Sequence, residues 1–113
     1  MTVTPELMNA TAAKYRNGTL SIEDTSLEEI ANAVGTPVYV YSSEMLESQY
    51  LKLDKALDSL PHQLHFAVKA NSTLAVLTTF AELGAGFDIV SGGELSRVLA
   101  AGGNPESVVF SGV

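Results

Sequence analysis

His62-Gln63-Leu64-His65-Phe66-Ala67-Val68-Lys69-Ala70-Asn71 is the stretch whose reading decides the fold. Leu64, Phe66, Ala67 and Val68 make an apolar run with β-branched and aromatic members, the pattern of a parallel strand covered on both faces. The run predicts a strand from Leu64 to Lys69. Alternation places His65, Ala67 and Lys69 on one face and Leu64, Phe66 and Val68 on the other. One face is small and polar, the other bulky and apolar, and a cation closing such a strand needs a reason.

Downstream, the same kind of unit repeats with a period of roughly twenty residues. Asn71 or Ser72 is expected to cap a helix carrying Leu74, Leu77, Phe80 and Ala81, which ends at Gly84. Gly86 to Val90 reads as a second strand, and Ser91 caps a helix with Leu95, Val98 and Leu99 on one stripe. Gly102-Gly103 and Pro105 break that helix, and Ser107 to Ser111 reads as a third strand. Strand, helix, strand, helix, strand with short connections means parallel strands joined by right-handed crossovers. An α/β fold follows, either a doubly wound sheet or a TIM (β/α)8 barrel. A barrel needs eight such units and about 250 residues, against 113 in this chain. A lone three-stranded parallel sheet has open edges, so the 113 residues are expected to be the front part of something larger, a truncated barrel.

Upstream, Met1 to Asn17 is weakly patterned, Asn17-Gly18 signals a turn, and Thr19 to Ile22 alternates like a short edge strand. Ser26-Leu27-Glu28-Glu29 is a capping box that opens a short helix to Val34, closed by Gly35 and Pro37. Pro37 to Tyr41 reads as a β-branched and aromatic strand. Ser42-Ser43-Glu44 then caps a long helix whose stripe is Leu46, Tyr50, Leu53, Leu57 and Leu60, with Pro61 as its stop.

Composition removes several function classes. Hydrophobic residues make up 46% and charged residues 17%, ordinary for a soluble globular unit. Six Lys and Arg against thirteen Asp and Glu give a net charge of -7, which argues against nucleic acid and against an acidic membrane surface. Without cysteine there is no disulfide, thiolate nucleophile or Cys-ligated metal site. No apolar run reaches the roughly 18 residues of a membrane span, and Met1 to Pro5 lacks the signal-peptide pattern, so the expected location is cytoplasmic. Asn17-Gly18-Thr19 and Asn71-Ser72-Thr73 match the glycosylation pattern, which has no consequence without export. His-x-x-x-His and Gly-x-Ser-x-Gly are both absent, so zinc- and serine-hydrolase readings fall away, and no metal site is expected.

Active sites of parallel α/β folds sit at the carboxyl ends of the strands, where Lys69 falls. A lysine partly desolvated there would have a lowered pKa and more neutral amine for attack on an aldehyde, the chemistry of a Schiff base. The plainer reading is a strand-end lysine that reaches solvent. Asp88 lies on the second strand between Phe87 and Ile89, where an acid is costly to bury unpaired, and Lys69 on the neighbouring strand is its natural partner. A structural ion pair would satisfy the same pattern. Ser91-Gly92-Gly93-Glu94 is a capping box that accounts for Glu94. The glycine pair lacks the spacing of a phosphate loop. His65 reads as a packed histidine on the inward face and His62 as a surface residue.

Phe66-Ala67-Val68-Lys69-Ala70-Asn71, Ala81 to Leu95 with its Gly86-Phe87-Asp88 and Ser91-Gly92-Gly93-Glu94, and Val109-Phe110-Ser111-Gly112-Val113 resemble the diaminopimelate decarboxylases. Gly35 to Tyr41 resembles that family's lead-in strand, so the likeness runs from about Thr19 to the end of the chain. It implies a pyridoxal 5'-phosphate enzyme with an alanine-racemase-like barrel and a separate β domain built from both chain ends. In that frame residues 1–43 contribute to the β domain and residues 44–113 begin the barrel. The resemblance implies that Lys69 is the catalytic and cofactor-binding lysine, that Asp88 is its cofactor-site partner, and that the active form is a homodimer. It implies decarboxylation of meso-2,6-diaminopimelate to L-lysine, the last step of lysine biosynthesis. The family's phosphate-binding glycines, its acid at the pyridine nitrogen and its substrate-carboxylate ligands are expected beyond Val113, which would leave these residues inactive alone. Phe66 stands where tyrosine is frequent in the family. Three alternatives remain: a decarboxylase of the same fold acting on ornithine, arginine or carboxynorspermidine; a non-catalytic cofactor-binding barrel protein; and a structural fragment without cofactor.

Overall fold

The computed structural model describes residues 12–113. The expectations for Met1 to Thr11, including the missing signal-peptide pattern, lie outside the described residues. The chain divides into two units between Met45 and Leu46.

In the first unit, β1 (Ala13–Arg16) and β2 (Thr19–Ile22) form an antiparallel hairpin with Arg16 opposite Thr19, and β3 (Thr25–Ser26) pairs on the far side of β2. The connection is the two-residue Asn17-Gly18 loop, with φ of 50° and 82° at the two positions. Positive φ at both residues lets the loop follow the twist of the strands, which is why Asn-Gly is favoured there. β1 was not foreseen in the weakly patterned segment, yet an Asn-Gly pair before an alternating strand requires a partner on its other side. Helix α1 (Leu27–Val34) starts as expected: the Ser26 hydroxyl accepts from the Glu28 and Glu29 amides, and the Glu29 carboxylate accepts from the Ser26 amide. Gly35, at φ 83°, ends it.

Pro37 to Tyr41 is not a strand, which corrects the sequence expectation. A strand needs a ladder, and among the described residues both sheets are formed by other segments. Val38, Tyr39 and Tyr41 are exposed, Tyr39 at 89%. The next helix, α2 (Ser43–Ala56), begins where predicted. Its start is capped by a residue distant in sequence: the Glu23 carboxylate accepts from the Ser42 hydroxyl at 2.8 Å and the Glu44 amide at 3.0 Å. α2 ends four residues before Leu60, earlier than the apolar stripe suggested. The residue before a proline avoids the helical region, and the chain passes through turns closed by Asp58 N–H to Lys55 and Leu60 N–H to Leu57.

The second unit carries the parallel sheet, in the order β4 (His65–Ala67), β5 (Gly86–Ile89), β6 (Val108–Phe110). Its register sets Phe66 opposite Phe87, Ala67 opposite Asp88, and Asp88 opposite Val109. Helices α3 (Leu74–Glu82) and α4 (Gly92–Ala100) connect the strands. Val68, Val76, Leu77, Phe80, Ala85, Phe87, Ile89, Val98 and Ala101 form the core. Complete burial of Leu77, Phe87 and Val98 contributes on the order of 2 kcal/mol each by transfer from water. Each strand is shorter than its expected run, and β4 stops where the chain turns into a 3₁₀ helix (Val68–Ala70). Two stripe residues fall outside the core: Leu74 and Leu99 are exposed, and Val76 is buried instead.

Candidate functional site

Lys69, expected to close the strand, instead sits in the middle of the 3₁₀ turn, two residues past the end of β4 at Ala67. The turn rotates the backbone so that Val68 is fully buried while Lys69 is exposed. Val68 anchors the turn in the core, and the lysine leaves from the opposite side. Enclosure of the amine, which the Schiff-base reading called for, is not provided by the described residues.

Asp88 is held one residue from the end of β5, between the buried side chains of Phe87 and Ile89. Its Oδ1 is buried and has no hydrogen-bond partner among the described residues. Among the described residues no ion pair joins Asp88 to Lys69, which corrects the pairing the sequence suggested. The register explains the proximity without the bond. Ala67 is the residue opposite Asp88, and Lys69 lies two positions further on, past the point where the backbone leaves the strand. Two neighbouring strand ends therefore present an exposed amine and a buried carboxylate oxygen with unmet acceptor capacity. Burying such a group without a donor costs on the order of 1–3 kcal/mol.

The segments around these two residues are ordered by their own hydrogen bonds. Asn71, foreseen as a cap, instead turns the loop: its Oδ1 accepts from the Thr73 amide at 3.0 Å, and Thr73 is the N-cap of α3. After β5, the Ser91 hydroxyl accepts from the Glu94 amide, and Glu94 Oε2 accepts from the Val90 amide at 2.7 Å. Glu94 thus fastens the turn just before its helix, a displaced form of the expected capping box. Sequence reasoning missed Arg97, whose Nη1 donates to the Ser72 carbonyl oxygen at 3.2 Å. The two lie 25 residues apart on different segments, and no local pattern links them.

His65 is exposed rather than packed, and its ring lies over Gly86, the residue opposite it in β5. His62 is tied down: Nδ1 lies 2.9 Å from the Leu60 carbonyl oxygen and Nε2 lies 2.9 Å from Asp54 Oδ1. The carbonyl, and next the carboxylate, raise its pKa above the ordinary histidine value. A separate apolar groove of about 260 Å³ is lined by Tyr50, Leu53, Leu64, Phe66 and Phe80 among others, and neither Lys69 nor Asp88 lines it. Burial, and then Asp54, raise the pKa of the Tyr50 hydroxyl in that groove. Among the described residues no cluster of His, Asp and Glu could hold a metal ion, and no helix is long and apolar enough to cross a membrane.

Residues 43–113 match the family model described as pyridoxal-dependent decarboxylase, pyridoxal binding domain. The chain is 58% identical over 102 residues to a diaminopimelate decarboxylase of Pseudomonas fluorescens, and 57% identical over 97 residues to one of Vibrio cholerae. Those matches cover 90% and 86% of this chain but 24% and 23% of the relatives, so the chain spans about a quarter of their length. Among solved structures, a protein from Aquifex aeolicus superposes with a TM-score of 0.81 at 46% identity, covering 90% of this chain and 25% of that one. The diaminopimelate decarboxylase from M. jannaschi superposes with a TM-score of 0.85 at 30% identity, covering 93% and 26%. The match takes in the 3₁₀ turn with Lys69, the strand with Asp88 and the helices that connect them, and the chain belongs to the family of pyridoxal-dependent decarboxylases.

Proposed function

We propose that this chain serves the decarboxylation of meso-2,6-diaminopimelate to L-lysine, contributing Lys69 as the residue that holds pyridoxal 5'-phosphate. The observation that carries the reading is the pair of neighbouring strand ends, one with the exposed amine of Lys69 and one with the buried, unpartnered Oδ1 of Asp88. These residues fit the cofactor: an amine without a carboxylate partner suits an aldehyde, and a buried acceptor without a donor suits a cationic or protonated neighbour. When bound, pyridoxal phosphate supplies an electron sink for the carbanion left as carbon dioxide departs. The chain's own part is to orient and to balance charge. Val68 locks the turn in the core so that the Lys69 amine leaves in one direction.

The choice of substrate follows the relatives: eight proteins named diaminopimelate decarboxylase are 46–59% identical to this chain. A solved lysine/ornithine decarboxylase matches at 26%, which keeps a different amino-acid substrate as the second reading. In line with the family resemblance, the active form is a cytoplasmic homodimer. Carbon dioxide release by the full-length protein should be fastest from meso-diaminopimelate, with ornithine and arginine at least tenfold slower. Preference for ornithine would refute the substrate assignment, and a dimer-to-monomer titration by sedimentation tests the assembly.

A further inference from the structure

We propose that Arg97 is a positioning residue that holds the loop after Lys69 in place against the strand carrying Asp88. This rests on the reading of Lys69 as the cofactor's anchor. The loop leaves the 3₁₀ turn at Asn71 and reaches α3 at Thr73. Two of its hydrogen bonds are local: the Asn71 amide donates to the Val68 carbonyl oxygen at 3.1 Å, and the Thr73 amide donates to Asn71 Oδ1 at 3.0 Å. Local bonds set the shape of the loop but not where it stands relative to β5, and the β4–β5 ladder ends at Ala67 and Asp88. Among the described residues, the long-range bond to this loop is the one from Arg97 Nη1 to the Ser72 carbonyl oxygen at 3.2 Å.

The origin of Arg97 gives that bond its meaning. It stands on α4, whose N-cap Ser91 is separated from the end of β5 by Val90 alone and lies three residues past Asp88. Val98, the next residue, is fully buried, so the backbone at Arg97 is fixed to the core. A rigid guanidinium on a fixed helix reaching a backbone carbonyl three residues beyond Lys69 couples the two strand ends. A charged donor makes a stronger bond than a neutral one, and the planar fork loses less freedom on bonding than a lysine would. Arg97 itself is exposed, so its replacement leaves the core packing untouched.

The test uses the full-length protein with Arg97→Gln, Arg97→Met and Arg97→Lys, and Lys69→Ala as reference. Pyridoxal phosphate is titrated into each apoprotein by absorbance, and backbone amide exchange is followed over residues 70–74. Arg97→Gln and Arg97→Met are expected to weaken cofactor binding about fivefold, the scale of one solvent-exposed hydrogen bond, and to speed exchange over residues 70–74 while the core amides stay protected. Arg97→Lys should recover part of both. Unchanged affinity and unchanged loop exchange in the Gln and Met variants would overturn the proposal, as would a loss of protection spread evenly over the core. If Lys69→Ala binds the cofactor as the parent does, the anchor reading falls. If Lys69→Ala loses binding while the Arg97 variants keep it, only the positioning role falls.

Discussion

Phe66 on β4 stacks against Phe80 on α3, ring centroids 4.3 Å apart and planes 18° from parallel. The contact clamps the strand that leads into Lys69 onto the helix that follows it, with Tyr50 of α2 tilted against the same Phe80 ring at 6.2 Å. Phe80 is therefore the point where two helices and the strand are joined. Phe80→Ala is expected to cost about 3–4 kcal/mol, from lost transfer energy plus the cavity left behind. Chemical denaturation of the full-length protein measures it, and a cost below 1 kcal/mol would show that the site collapses around the deletion.

Gly86 faces a similar constraint from the opposite direction. A Cβ built there would meet His65 Nε2 at 2.5 Å and the Ser107 carbonyl oxygen at 2.7 Å. The histidine ring can swing away, but the carbonyl belongs to the backbone leading into β6. Gly86→Ala should destabilise by about 1–3 kcal/mol. Adding His65→Ala should restore only part of that loss, and full restoration in the double variant would show that the carbonyl contact yields.

Glu23 makes the first unit sensitive to acid. The Glu44 amide and then the Ser42 hydroxyl hold its carboxylate below the ordinary glutamate value of 4.5. A lowered folded pKa stabilises the folded state above the unfolded value, and that contribution is lost as pH falls from about 4.5 through the folded pKa. Glu23→Gln should flatten this part of the stability curve, measured as thermal midpoints between pH 3 and pH 6. An unchanged slope in Glu23→Gln would exclude the cap as its source.

His62 acts with the opposite sign. The Leu60 carbonyl, then Asp54, raise its folded pKa above the ordinary 6.5. Its contribution is complete below that ordinary value and disappears as pH rises through the folded pKa. Both ring nitrogens face oxygen acceptors, an arrangement met fully only by the charged imidazole. An NMR titration should place His62 above a free histidine, with Asp54→Asn bringing it down. A value at or below that of free histidine would show the clasp open in solution.

The sequence disclosed what short-range rules govern. The Ser26 capping box, the Asn17-Gly18 turn and the three apolar runs of the parallel sheet all depend on neighbours a few residues apart; the cap and the turn formed as written, and the three strands formed in place with shorter bounds. Pro37 to Tyr41 failed because β propensity describes a surface suited to pairing, while a strand exists only where a partner lies alongside. Lys69 was singled out by its motif and its exposure was the plainer of two readings, but the 3₁₀ turn at the end of β4 breaks the alternation on which its facing was argued. The Asp88–Lys69 ion pair was inferred from adjacency, and register placed the backbones together without bringing the charged ends into contact. Arg97 left no trace, because its partner is a backbone carbonyl 25 residues away and any residue at Ser72 would present the same oxygen.

The central claim is that Lys69 anchors pyridoxal phosphate. Absorbance spectra of the full-length protein with cofactor, compared between the parent and Lys69→Ala, test it most directly. The near-visible band of lysine-bound cofactor should be present in the parent and absent in Lys69→Ala, while the two cofactor-free proteins melt alike because Lys69 is exposed. A band that persists unchanged in Lys69→Ala would contradict the account.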